Sequence, residues 1–484
     1  MARAKKAGTA KKPKPSGKAR PAARRSRVGG KAQGTVKTKA VKAVKSKGVG
    51  KAADAKPAAK GASARKRAAP KKPFVTGKAS AGRKGKDIRS DLFVSIEAKK
   101  SGGLDLDIKS KVSAFYGKSI RDMVSSVVRA FGVKDARVEV EDTGGLPFVI
   151  AARVETVLRR AGYSGRSLPD RLVKTKGPTA RDRLRRSRLY LPGNEPKFAV
   201  NAGIHHPDAV ILDLEDSVHP DEKDAARFLV RNSLRCIDFL GAERMVRINQ
   251  LPLGYADLDE IVPESPDLIL IPKVETADQV REVDARIKKI QKAKGIKAPV
   301  WIMPILESAL GIENAYEIAA TTDTVVALTI GLEDYTADLG VPRTKQGDET
   351  LYARLRIVNA ARAAGLQAID SVFGDVGDME GLKAWATRSK AIGFEGMGCI
   401  HPRQIRPIHE SYAPTPLEIE KAMKIVAAFD EASAQGKSVV SLGSRMIDPP
   451  VVLRAQRLVT MAKRMGLIPE NAAPVQKDAG AKNK

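Results

Sequence analysis

From Asp87 onward, apolar and polar positions follow two rhythms. LFVSIEA (92–98) alternates as a half-buried strand, LDLDI (104–108) follows a Gly-Gly turn, and KSIRDMVSSVVRAFGV (118–133) has the spacing of an amphipathic helix. ARVEVEDTG (136–144) is a further strand ending in a turn, and LPFVIAARVETVLRRAG (146–162) reads as a strand running into a basic-ended helix. Together they predict a small α+β domain over residues 86–165. The next stretch, 166–183, mixes Pro, Gly, Lys and Thr without period and predicts a linker.

After the linker, short β-branched runs alternate with helical segments: SRLYLP, AVILDLE, RMVRIN, LILIPK, VWIMPIL, VVALTI, AIDSVF and GMGCIH. Runs such as LILI and VVALTI, near-continuously apolar, fit parallel strands buried on both faces. Eight of them predict an α/β fold, a (β/α)8 TIM barrel over 184–470, followed by a disordered tail at 471–484. An open doubly wound sheet is the alternative, because periodicity does not show closure.

A barrel of this kind works at the C-terminal ends of its strands, so the polar residues that end each run are the candidates. They are Asp213, Glu215 and Asp216 after the second run, Arg247 and Asn249 after the third, Lys273 after the fourth, Glu307 after the fifth, Glu333 and Asp334 after the sixth, and His401 after the eighth; Arg186 stands just before the first. Carboxylates without a His or Cys cluster suit a hard cation such as Mg2+, and Glu307 with Asp334 is the best-placed pair. Taken singly, either acid reads equally as a strand-end salt-bridge partner. Arg247 is suited to clamping a carboxylate, or to pairing one of its acidic neighbours. Lys273 raises a rival Schiff-base chemistry. His401 and Cys399 read as capping and packing groups, and Asp448, before a helical run, as a helix N-cap.

Composition changes this picture at one end only. The chain carries a formal net charge of +32, but residues 1–85 hold 28 Lys and Arg against the single acid Asp54, leaving 59 bases against 54 acids elsewhere. That Lys/Ala/Pro-rich arm has too few large apolar residues to offset the entropy of ordering, and it predicts disorder. Its basic clusters resemble a histone-H1-type or nucleoid-protein tail and would bind nucleic acid non-specifically; a solubilising extension is the plainer reading. Two cysteines, Cys236 and Cys399, exclude a disulfide scaffold and fit a reducing, cytoplasmic location. No window is apolar enough for a membrane span.

RSRLYLPGNEP, VILDLEDSVHPDEKDAAR, VRINQL, PILESALGIENAYEIA, GLEDYTADLG, RTKQGDETLYAR, GFEGMGCIHPRQI and RMIDPPVVLRAQRLV resemble, in order, the motifs of the citrate lyase beta subunit and the HpcH/HpaI aldolase family across 186–466. The resemblance implies a homo-oligomeric carbon-carbon lyase, trimer or hexamer, that cleaves a citryl or related 3-hydroxy-acyl thioester to acetyl thioester and oxaloacetate or another 2-oxo acid. It implies Mg2+ on Glu307 and Asp334, substrate carboxylates on Arg247, a substrate or CoA contact at Arg186, and Asp448 as acid or base in a neighbouring subunit's mouth.

Residues 87–163 resemble the acyl carrier (gamma) subunit of citrate lyase through GGLDLDI, KSIRDMVSSVVRAFGV, VEVEDTGGL and AARVETVLRRA. That family carries phosphoribosyl-dephospho-CoA on a serine, but the attachment position falls on Arg89 here, and Ser90 stands one place late. Ser90 would carry the arm if the modifying enzyme tolerates the shift. Otherwise the domain is a degenerate scaffold and the barrel uses free malyl-, citramalyl- or citryl-CoA thioesters. A citrate lyase alpha-like CoA-transferase subunit is an implied partner; the remaining alternative is a non-catalytic nucleoid-associated scaffold.

Overall fold

The computed structural model describes residues 77–173, 179–436, 440–442 and 445–472. The expectations for residues 1–76 of the arm and 473–484 of the tail lie outside them.

The small domain comprises β1 (Lys78–Gly82), β2 (Leu92–Ala98), β3 (Leu104–Ser110), α1 (Ser113–Ala130), β4 (Ala136–Asp142) and α2 (Pro147–Arg160). Its sheet has the order β1-β2-β4-β3, with β3 parallel to β4 and the other pairs antiparallel. In β4 the residues Ala136, Val138, Val140 and Asp142 are buried and those between them exposed, so one face meets α1 and α2 while the other meets water.

The sequence expectation fails here in two places. Residues 78–82, assigned to the disordered arm, form β1. KASAG has almost no apolar side-chain area, but its backbone completes the ladder along β2 and its Ala81 is buried. The FVI run at 148–150, expected as a strand, lies inside α2, which Pro147 opens at the first helical position. Every residue from Phe148 to Leu158 is buried, so the helix is covered on all sides and loses the polar stripe by which a helix is recognised.

The barrel strands are β5 (Ser187–Pro192), β6 (Ala209–Asp213), β7 (Glu243–Arg247), β8 (Leu268–Ile271), β9 (Trp301–Leu306), β10 (Ala327–Ile330), β11 (Gln367–Asp370) and β12 (Gly396–Cys399). They pair in parallel and in sequence, and β12 closes on β5. Around them, in chain order, run α3 (Pro196–Val200), α4 (Lys223–Cys236), α5 (Gly254–Ile261), α6 (Ala277–Lys294), α7 (Ala309–Glu313), α8 (Ala315–Ala319), α9 (Leu332–Asp338), α10 (Leu351–Ala363), α11 (Met379–Ile392) and α12 (Ile405–Tyr412). The C-terminal segment is α13 (Pro416–Ala434), β13 (Val440–Leu442), β14 (Arg445–Ile447) and α14 (Pro449–Arg464). Residues 440–442 and 445–447, ahead of Asp448, pair as antiparallel strands.

Strand parity divides the core. Val210 and Leu212 of β6 face the helices, while Ala209 and Ile211 join Met245, Leu270, Met303 and Ile305 inside the barrel. The linker is tied to the barrel on both sides of residues 174–178, which lie outside the described ones. Leu172 N donates to Arg235 O at 3.0 Å, Thr179 Oγ1 to Glu243 at 2.7 Å, and Arg183 to the carbonyls of Asp208 and Gly241. Its Pro/Gly composition reports an irregular path and says nothing of attachment.

α2 packs against α4 and seats the small domain on the barrel. Glu155 of α2 and Arg231 of α4 form a fully buried pair, 2.6 Å apart, and Arg231 also reaches Glu260 at 2.9 Å. Nearby, Arg153 forks onto Asp91 at 2.7 and 2.9 Å and donates to the carbonyl of Asn194, in the loop that follows β5.

Candidate active site

Continuing the inward register of each strand by two residues leads into one cleft at the C-terminal end of the barrel. Ile211 is followed by Asp213, Met245 by Arg247, Ile305 by Glu307 and Ile369 by Ser371, and all four successors line a cavity of about 370 Å3 together with Tyr190, Asp216, Glu333 and Asp334. A hydrophobic lumen thus changes to a polar mouth along the same faces.

Glu307 is buried, and it accepts the main-chain N–H of Lys273 at 2.7 Å. Burial, with the charge of Asp334 beside it, pushes its carboxyl up to about 8. Gly331 opens α9 against it, where an added methyl would collide with the Glu307 carboxylate. Asp334, in the first turn of α9, accepts the Lys273 ammonium at 2.5 Å. Burial works against that ammonium, but its bond to Asp334 and the nearby carboxylates raise its pKa overall. Lys273 is therefore held protonated, which disfavours it as a Schiff-base nucleophile.

The donors available to a cation are hard carboxylate oxygens from neighbouring strand ends. Among the described residues no group of three or more His, Cys, Asp and Glu gathers as a metal cage. A pair of carboxylates facing an open cleft fits Mg2+, which keeps water and substrate oxygens among its ligands. Glu307 and Asp334 would hold it.

Arg247 spans the opposite wall. Its Nε and Nη2 fork onto Asp213 at 2.6 and 2.7 Å, and its Nη1 lies 2.9 Å from Glu215 and 3.4 Å from Asp216. Burial opposes the charge of Asp213, but the Arg247 fork holds its carboxyl below the usual aspartate range. The expected pairing with neighbouring acids therefore occupies most of this guanidinium. Arg247 also lies over the Tyr190 ring, 5.3 Å from its centroid.

Other expected residues lie elsewhere. Arg186, expected as a substrate or CoA contact, precedes β5 at the N-terminal end of the barrel and forks onto Asp208 at 2.8 Å, beside the Arg185–Glu243 pair. A residue before a barrel strand starts at the end away from the mouth, so its charge serves to tie strands β5 and β6 together. The inward arginine of that motif is Arg188, which lines the cleft and which strand-end reasoning missed; its register with Tyr190 was the available signal. Asn249 is held by Asp257 at 2.8 Å. His401 caps the turn after β12 by accepting Arg403 N at 3.1 Å, and Cys399 is buried, its thiol pushed up to about 12 by burial. Asp448 caps α14, accepting Val451 N at 3.2 Å, and is not among the residues that line the cleft of its own barrel. Ser90 lies half-buried before β2 with φ 56°, between the exposed Arg89 and Asp91.

Comparison with known proteins places this geometry. A family model described as HpcH/HpaI aldolase/citrate lyase matches residues 186–402. Citrate lyase subunit beta of Leuconostoc mesenteroides subsp. cremoris is 40% identical over 301 residues, 61% of this chain and 99% of that protein. The chain belongs to the HpcH/HpaI aldolase/citrate lyase family. The mitochondrial citramalyl-CoA lyase of Homo sapiens is 34% identical over 57% of this chain and 85% of its own length. A solved citrate lyase from Burkholderia xenovorans LB400 shares the family fold, with a TM-score of 0.53 at 23% identity over 60% of this chain and 94% of that one. Ahead of the HpcH/HpaI domain, a model described as malonate decarboxylase delta subunit matches residues 79–161, from the second residue of β1 onward.

Proposed function

We propose that this chain is a Mg2+-dependent carbon-carbon lyase that cleaves a citryl or related 3-hydroxy-acyl thioester to acetyl thioester and oxaloacetate or another 2-oxo acid. The observation that carries this reading is the convergence of Glu307 and Asp334 on one cleft, with Glu307 buried and Asp334 beside it. Glu307 and Asp334 would hold Mg2+, which when bound would supply Lewis-acid polarisation of the oxygen that becomes the keto group. Two relatives are named as lyases, one as a citrate lyase subunit beta and one as a citramalyl-CoA lyase.

Bond cleavage needs a base for the hydroxyl proton; the electron pair of the broken carbon-carbon bond passes to the thioester side as an enolate, and an acid then protonates its carbon. Asp448 of a neighbouring copy is assigned this acid–base role, in keeping with its absence from its own chain's cleft. The enzyme is accordingly a homo-oligomer. Arg247 would offer Nη1 to a substrate carboxylate by releasing the exposed Asp216, its more distant partner. A citrate lyase alpha-like CoA-transferase remains a candidate partner.

The thioester is read as a free CoA ester, and the small domain as a fixed companion of the barrel. Its buried pairs to α4 and the β5 loop oppose the swinging motion of a carrier, and Ser90 is half-buried next to the misplaced Arg89. An intact mass of the native protein without an addition at Ser90 is the expected result; phosphoribosyl-dephospho-CoA found there would restore the carrier role. The test of the lyase is a thioester panel with and without Mg2+, comparing wild type with Glu307→Gln and Asp448→Asn. Activity that survives both substitutions removes the mechanism.

A further inference from the structure

Among the described residues the five largest fully buried side chains are all arginines, and four of them have a carboxylate partner. Arg153 pairs with Asp91, Arg185 with Glu243, Arg231 with Glu155 and Arg354 with Asp370. Arg188 has none among the described residues. Its guanidinium donates to Thr329 Oγ1 at 2.8 Å and to the carbonyl of Asp370 at 3.3 Å, and touches Met303 Sδ at 3.0 Å, all uncharged atoms. Its Nε has no partner at all among the described residues. A guanidinium 1% exposed and without counter-charge is costly, and desolvation lowers its pKa.

Arg188 is also the only one of the five that lines the cleft holding Glu307 and Asp334. Among the described residues none of the carboxylates of that cleft contacts Arg188, so an anionic group of a ligand entering the cleft would supply the missing negative charge. We propose that Arg188 is a specificity-determining residue that receives a second carboxylate of the substrate, so that the 2-oxo acid released by the lyase is a dicarboxylate.

This inference rests on the lyase reading and narrows it. One carboxylate of the 2-oxo acid is accounted for by the cation site and Arg247. A 2-oxo acid ending in a methyl group or hydrogen would leave Arg188 buried and uncompensated, whereas one with a distal carboxylate completes a charge-assisted pair at the cleft floor.

The experiment compares citryl-CoA, which releases the dicarboxylate oxaloacetate, with citramalyl-CoA, which releases the monocarboxylate pyruvate. The full-length protein is used with Mg2+, as wild type, Arg188→Met and Arg188→Lys. Wild type is expected to favour citryl-CoA in kcat/KM by at least about 100-fold. Arg188→Met is expected to shrink that ratio by about 30-fold or more, mainly through KM for citryl-CoA, and Arg188→Lys to keep part of it. The thermal midpoint of Arg188→Met should equal or exceed that of wild type, since it removes an unpaired buried charge.

An unchanged ratio, or an equal loss with both thioesters, overturns the proposal. So does an Arg188→Met protein that fails to fold while Arg188→Lys cleaves both esters as wild type does. If wild type cleaves neither ester, the lyase reading has failed, and calorimetric titration of the Mg2+-loaded protein decides Arg188 alone. Oxaloacetate binding tighter than pyruvate, with the difference lost in Arg188→Met, supports it; equal affinities overturn it.

Discussion

Gly331 is the residue on which the candidate cation site depends most directly without supplying a ligand. Its missing side chain leaves the space taken by the Glu307 carboxylate, and an alanine there must displace that acid. Gly331→Ala is expected to lower Mg2+ affinity at least about 10-fold, as loss of a positioned ligand or its support does, with little change in thermal midpoint. Calorimetric titration of Mg2+ beside a melting curve checks both. Lys273 carries a second prediction at this scale. Because its bond to Asp334 favours the ammonium, borohydride reduction in the presence of substrate should leave no adduct on Lys273. A trapped adduct in the tryptic map would replace the metal-assisted mechanism with an imine one.

Among the elements, α2 shows most clearly how burial hides periodicity. A helix with one wet face announces itself by apolar spacing, whereas α2 lies between the small sheet, α1 and α4, so the run from Phe148 to Leu158 carries no consistent polar stripe. Its burial includes Glu155, whose charge is tolerated only because Arg231 of α4 meets it. Glu155→Ala is expected to destabilise the protein by about 3–5 kcal/mol, because Arg231 is left buried and must rely on Glu260 alone. Denaturant unfolding measures this. The double variant Glu155→Ala, Arg231→Met should recover much of the loss, since neither charge then remains buried. β1 makes the complementary point: a strand of Lys, Ala, Ser and Gly is ordered by the ladder of β2, so composition alone misassigned it to the arm.

At the scale of the whole molecule, the placing of Asp448 outside the cleft of its own barrel turns the acid–base assignment into a question of assembly. Mixing inactive Glu307→Gln protein with inactive Asp448→Asn protein under conditions of subunit exchange is expected to restore activity, because some mouths then combine an intact Glu307 with a neighbour's intact Asp448. Each variant alone should stay inactive, and failure of the mixture to recover would place the acid elsewhere. Removing residues 1–76 is expected to abolish retention on DNA at low salt while leaving thioester cleavage intact, since the charge of the arm is separate from the nearly neutral remainder.

The barrel was legible in the sequence because eight short, largely apolar runs recur between helical segments, and β6, β8 and β10 to β12 are buried at every position. The identities of Asp213, Arg247, Glu307 and Asp334 were legible because a parallel barrel presents its mouth where those runs end. Closure of β12 onto β5, the packing of α2 and the attachment of the linker required coordinates, since each depends on contacts between residues distant along the chain. The same holds for the two arginines of the RSR motif. They differ by two positions in sequence, yet Arg186 meets Asp208 at the closed end, while Arg188 reaches the cleft without an acidic partner. Sequence specifies the charge, but only the fold decides which charges are neutralised.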